Sequence, residues 1–341
     1  MKLQPPFPTG SIQYFSHESD CLQHNPLGDP HIRTHTLYLP AAANDPLPLL
    51  VNLAGFLGSG FSSLNWRPFQ ESLPQRLDRL IAQGHMPPVA ILFPDCFTRL
   101  GGNQFINSAG IGRYADFLCE ELVPFVETTY GCGGSGKRGV FGKSSGGYGA
   151  LMHGMSAAGT SHTTNGFWSA VACHSGDMGF AWGYAPDFPN CLQQLDKFDS
   201  SIEGFLRHVE HKKKPSNEEM EALMTLAMAA TYDPDPSTFM GIRLPVTLDT
   251  CEWIPDRWRN WLRHDPLEIV ENHANALRGL KGLFIDCGTK DQYRLHFGAR
   301  RLHRKLEELG IPHRYEEFPD THSGIDYRLD ESLLYLARCV A

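Results

Sequence analysis

Ser144 stands at the centre of Gly142-Lys143-Ser144-Ser145-Gly146-Gly147, directly behind the short run Arg138-Gly139-Val140-Phe141. The spacing is Gly-x-Ser-x-Gly. A serine on a tight strand-to-helix turn has a strained backbone, so its neighbours at minus two and plus two must be small. Its hydroxyl then projects above the sheet, and the helix start behind it offers N–H groups. That chemistry is nucleophilic attack on an acyl carbon. Ser145 does not fit the same pattern, because the residue two before it is Lys143. A phosphate-binding loop, Gly-x-x-x-x-Gly-Lys-Ser/Thr, is the competing reading of Gly-Lys-Ser. It fails because its first glycine would be Lys137. In the upstream register that begins at Gly131, the hydroxyl position is Arg138.

A serine nucleophile needs a base and an orienting acid. In a parallel sheet the reactive groups gather at the carboxyl ends of the strands. That rule filters the 16 histidines. His322 follows the run His313–Phe318 at its carboxyl end, whereas His313 begins that run and His296 and His303 fall on or beside a helix. The acid should follow the preceding strand, Gly282–Cys287. Asp291 lies just past its Gly288 turn and is the first choice; Asp286 is second and Asp320 third. The chain order Ser, Asp, His is the order of α/β-hydrolases. An oxyanion hole needs two N–H donors. The residue after the nucleophile, Ser145, should supply one, and Phe56, in the loop Ala54-Gly55-Phe56-Leu57-Gly58, the other.

The elements that must hold these groups are read from periodicity. Strands are expected at 11–16, 32–39, 48–53, 89–93, 138–141, 166–173, 282–287 and 313–318. Helices are expected at 66–83, 114–128, 145–155, 297–309 and 326–339, with Pro124 a candidate kink. This alternation implies a mostly parallel sheet with helices on both faces, in one α/β-hydrolase domain spanning 1–341. About a hundred residues, 178–279, separate the sixth core strand from the next and must fold as a helical insertion. Ser216–Glu219 reads as a capping box ahead of Met220, Met224 and Met228. The insertion leaves the sheet on the face that carries Ser144, so it is expected to act as a lid. Trp253, Trp258 and Trp261 read first as packing anchors; with the Met-rich helix they are also candidate walls of the acyl site, and an oligomer interface is the alternative to the lid.

Composition removes other classes. Thirty Lys and Arg against 38 Asp and Glu give a net charge of −8, the wrong sign for a general nucleic-acid partner. No stretch approaches the roughly 20 apolar residues of a membrane helix, so no membrane partner is expected. The opening Met1–Ser11 segment lacks the apolar core of a secretory leader. Nine cysteines, an odd number without a CxxC pair, read as mostly reduced thiols of a cytoplasmic protein. No His-Glu-x-x-His or clustered Cys/His set appears, so neither metal nor cofactor is expected.

Several segments together resemble the putative-esterase family of α/β-hydrolases, which includes esterase D (S-formylglutathione hydrolase), enterochelin-type esterases, feruloyl esterases and mycolyltransferases. They are AGFLGSG, PDCFTRLGGNQF, GRYADFLCEELVPFVETTYG, GKSSGGYGALMHGM, ACHSGD, CGTKD and DTHSG. The resemblance implies a metal-free serine hydrolase with Ser144, Asp291 and His322 as its triad. It also makes Gly55, Leu57, Asn103, His174 and Asp177 candidate substrate contacts. The chain departs from the family at Ala54, where histidine is common, and at Lys143 and Ser145, where the family often has His-Ser-Met. The expected partner is a small-molecule carboxylic ester or thioester, with self-association left open. An acyltransferase on the same triad and a non-catalytic binding protein on the same fold are the alternatives.

Overall fold

The computed structural model describes residues 9–41, 46–159 and 166–341. The Met1–Ser11 reading therefore falls mostly outside the described residues. Eight strands form the main sheet: β1 (Ser11–Glu18), β2 (Ile32–Leu39), β3 (Leu49–Leu53), β4 (Ala90–Phe93), β5 (Arg138–Lys143), β6 (Ala170–His174), β7 (Gly282–Gly288) and β8 (Arg314–Phe318). Their order across the sheet is β1-β2-β4-β3-β5-β6-β7-β8. Only β2 runs against the others, pairing antiparallel with β1 and β4. The remaining ladders are parallel.

A parallel strand covered on both faces must be apolar throughout. β3, β6 and β7 are accordingly buried at every position. Alternate side chains still part to opposite faces. Leu49, Val51, Leu53, Val140, Val171, Cys173, Ile285 and Cys287 join the larger core. Leu50, Phe141, Ala170, Ala172 and Phe284 join the smaller one. The smaller core is sealed by α1 (Leu73–Ala82) and the C-terminal helix Leu329–Val340.

The first helix starts at Leu73, not at Trp66. Ser72 caps it, with Gln75 returning the capping-box bond. Residues 66–72 form an irregular segment with a positive φ at Phe69, and Pro68 forbids an early helical start of ordinary geometry. The Tyr114–Tyr130 helix runs through a π-helical stretch at Phe117–Leu122. The extra residue in that stretch brings Pro124 to the beginning of the regular segment Val123–Tyr130, where its missing N–H costs little.

The 178–279 segment carries α4 (Phe188–Leu195) and further short helices around two longer ones, α5 (Ile202–His211) and α6 (Asn217–Tyr232). Its apolar residues belong to the same core cluster as the sheet face beneath it. Ser216 Oγ accepts the Glu219 N–H at 3.2 Å, and Glu219 accepts the Ser216 N–H at 2.6 Å, so the cap fixes where α6 begins. Among the described residues no helix is long and apolar enough to cross a membrane.

Candidate active site

Ser144 lies between β5 and α3 (Ser145–Gly154) with φ 57° and ψ −126°, a region that costs non-glycine residues about 1–3 kcal/mol. Local packing makes the strain unavoidable. A Cβ on Gly146 would stand 2.0 Å from the Leu53 carbonyl oxygen, and one on Gly142 would stand 2.5 Å from the same atom and from the Gly146 carbonyl carbon. The two glycines of the motif thus let strand, turn and neighbouring strand touch. The Ser144 N–H donates to the His174 carbonyl at 3.0 Å, which ties the turn to β6.

The loop after β3 passes directly over the serine. A Cβ on Gly55 would lie 3.7 Å from the Ser144 Cβ. Phe56 is pinned from behind, because Gly102 approaches its backbone so closely that a Cβ there would be 2.3 Å from the Phe56 oxygen. Phe56 and Ser145 thus flank Ser144 from the loop and from the helix start.

The other two groups arrive from β7 and β8. His322 Nδ1 donates to Asp291 Oδ2 at 2.8 Å, and both residues are buried. Asp291 Oδ1 accepts the Tyr293 N–H at 2.9 Å, and the His322 N–H donates to Gln292 Oε1 at 3.0 Å. The Tyr293 ring meets His322 edge-on at 4.9 Å. Gly288 lets the two loops close, since a Cβ there would be 2.4 Å from the Asp320 oxygen. Asp286, the second-ranked acid, faces the opposite side of the sheet, and the Asp320 side chain accepts from the Thr321 N–H and the Tyr327 hydroxyl.

Ser144 and His322 open on one cavity of about 710 Å³. Gly55, Leu57 and Asp177 line it, as expected from the sequence. Asn103 does not: it is buried behind the loop, where its Oδ1 accepts the Phe105 N–H at 2.5 Å. His174 also lines the cavity, but its ring has no nitrogen to offer a substrate, because both are occupied. Nδ1 donates to Asp286 Oδ1 at 2.7 Å, and Nε2 accepts from Ser332 Oγ at 2.7 Å. The period-two alternation of β6 carried this signal: His174 shares the parity of Ala170 and Ala172, which face the C-terminal helix. Asp286 is further held by Arg328 Nε at 3.0 Å.

Asp177 is buried at the cavity floor, and that burial raises its pKa above the ordinary carboxylate value. The Tyr184 hydroxyl donates to its Oδ2 at 2.8 Å. Gln104 Nε2, which the sequence did not single out, donates to Ser145 Oγ at 2.9 Å. Of the two roles the sequence allowed the tryptophans, the structure gives them packing and not the cavity wall. Trp253, Trp258 and Trp261 stack edge-on around Phe188 at 5.7, 6.0 and 5.3 Å, away from the cavity. Met220 and Met224, one turn apart on α6, line the cavity instead, while Met228 is buried in the core.

The strand order and the residues gathered above the parallel strands define an α/β-hydrolase. The profile of the family described as "Putative esterase" matches residues 30–330, and the chain belongs to that family. It is an esterase. No curated protein sequence matches the chain. Solved structures share the fold at low identity. A ferulic acid esterase is 18% identical with a TM-score of 0.60, covering 97% of this chain and 99% of its own. An S-formylglutathione hydrolase from Agrobacterium tumefaciens is 14% identical with a TM-score of 0.59, covering 99% and 98%. One from Staphylococcus aureus is 13% identical with a TM-score of 0.56, covering 96% and 99%.

Proposed function

We propose that Ser144 is the nucleophile that cleaves a small carboxylic ester or thioester, with His322 as the base and Asp291 as the orienting carboxylate. The observation that carries this reading is the strained Ser144 turn opening on the same cavity as the hydrogen-bonded His322–Asp291 pair. With Nδ1–H given to Asp291, the His322 Nε2 is left as the acceptor for the Ser144 proton. Attack forms the Ser144 Oγ–acyl bond, and His322 then returns the proton to the departing alcohol or thiol. The N–H groups of Phe56 and Ser145 hold the oxyanion. Water releases the acyl group by the same route, the reading that a family described as esterases supports. Unpaired cysteines, six of the nine buried, support a reducing, cytoplasmic compartment.

A fluorophosphonate probe tests the nucleophile. One phosphonyl group is expected on the folded protein, at Ser144 by peptide mass spectrometry, and prior acylation by a slow ester should block it. A folded protein that does not label, or labels elsewhere, contradicts the assignment.

Met220, Met224 and Leu295 put apolar side chains on the cavity wall, beside Glu221 and Tyr184, and these suit the acyl chain. Met220→Ala and Met224→Ala are expected to move the preferred p-nitrophenyl ester to longer chains. Trp258→Ala is expected to leave that profile unchanged while costing about 1–3 kcal/mol of stability. A chain-length series run beside thermal melts separates the two outcomes.

A further inference from the structure

The wall next to Ser144 is of another kind. Lys143 and Arg67 both line the cavity. Among the described residues no carboxylate lies within 4.0 Å of either cation, whereas Arg76 on the same wall is paired with Asp330 and Glu71. Burial pushes the Lys143 ammonium below its usual value; Arg67 adds to the push, and Asp326 and Asp291 oppose it. Asp291 is already committed to His322 and to the Tyr293 N–H, and Asp326 is exposed to water. The half-buried Lys143 and the exposed Arg67 thus share one wall with Glu71 and Asp326 nearby but no carboxylate in contact with either cation, and an anion between them relieves their repulsion and the desolvation of Lys143.

The position of Lys143 says which half of the substrate that anion belongs to. Its Nζ donates to the His322 carbonyl at 3.3 Å. The leaving oxygen or sulfur must depart beside His322, because it takes its proton there. The wall that carries Lys143 is therefore on the leaving-group side.

Resting on the serine-hydrolase reading above, we propose that Lys143 and Arg67 form a subsite for an anionic leaving group, an alcohol, phenol or thiol that carries a carboxylate. Charge-assisted hydrogen bonds from an ammonium and a guanidinium would hold that carboxylate as the acyl carbon meets Ser144. Departure then carries the anion out with the protonated oxygen or sulfur, leaving the acyl group on the enzyme.

Two esters differing in one charge provide the test: 4-carboxyphenyl acetate and its neutral isostere 4-carbamoylphenyl acetate. The wild-type protein is expected to favour the anionic ester by about tenfold in kcat/KM, mainly through KM. Lys143→Met and Arg67→Met should each reduce that preference several-fold, and Lys143→Arg should retain most of it. High salt should shrink the preference in the wild type, as for any partly exposed ionic contact. Equal kcat/KM for the two esters overturns the proposal, as does a preference that survives both methionine variants. A uniform loss on both esters in Lys143→Met would mean that its bond to the His322 carbonyl only positions that loop, and would equally overturn it. Failure of the esterase reading is distinguishable: neither ester would then be cleaved in a Ser144-dependent way.

Discussion

Ser144→Ala lowers kcat for p-nitrophenyl acetate by on the order of 10³-fold or more, with the melting temperature unchanged or raised. In barrier terms the loss is about 4 kcal/mol. Stability should not suffer, because Ala at φ 57° carries little more strain than Ser and the turn is held by Gly142, Gly146 and the bond to the His174 carbonyl. Ser145→Ala is the comparison. Its hydroxyl is buried against Gln104 and Asp177, so its removal should cost stability and only modestly affect kcat, since the backbone N–H that faces the oxyanion survives. Steady-state kinetics with circular dichroism distinguishes the pair. Retained turnover in Ser144→Ala with loss in Ser145→Ala would put the nucleophile one residue later.

The second large effect separates two aspartates that a sequence places five residues apart. Asp291→Asn should lower kcat by about 10³-fold or more while the fold persists, because an amide at that position favours the wrong His322 tautomer. Asp286→Asn should do the opposite. Asp286 is buried and bonded to both His174 and Arg328. Breaking such a pair from one side costs about 3–5 kcal/mol, so the melting temperature should fall steeply while the folded fraction stays far more active than Asp291→Asn. If instead Asp286→Asn loses turnover at an unchanged melting temperature, Asp286 becomes the orienting acid.

The strands and the placing of Ser144, Asp291 and His322 around one cavity were legible because each obeys a local rule. Ser144 is announced by the glycines that its turn requires, and Asp291 and His322 fall in loops at the carboxyl ends of apolar runs. What escaped depends on which side of an element faces what. His174 follows a strand and precedes a loop, which made it look like a site residue, but its parity sends the ring to the far face. The tryptophans of 253–261 fit a hydrophobic wall as well as a hydrophobic core, and composition cannot separate the two. Packing around Phe188 decided it. The methionines of α6 divide for a similar reason: their helical spacing is visible in sequence, yet only the fold shows that the first two overhang the cavity and the third is sealed beneath it. The late start of α1 was signalled by Ser72 and Gln75, whose capping pattern outweighs the apolar spacing upstream.

Ser332, His174 and Asp286 form a second serine–histidine–aspartate chain, with both links at 2.7 Å. A template that matches only side-chain distances would score it as well as any hydrolase centre. Yet Ser332 is fully buried on the C-terminal helix, whose backbone is regular, and it does not line the cavity at Ser144. On the proposed assignment, the contrast with Ser144 places reactivity in what surrounds the three residues: a left-handed turn, flanking backbone N–H groups and an open path for the acyl group. It also gives the molecule an internal reporter. A reagent that modifies Ser332 would be recording the moment the C-terminal helix lifts from the sheet, a local unfolding event that turnover at Ser144 would never register.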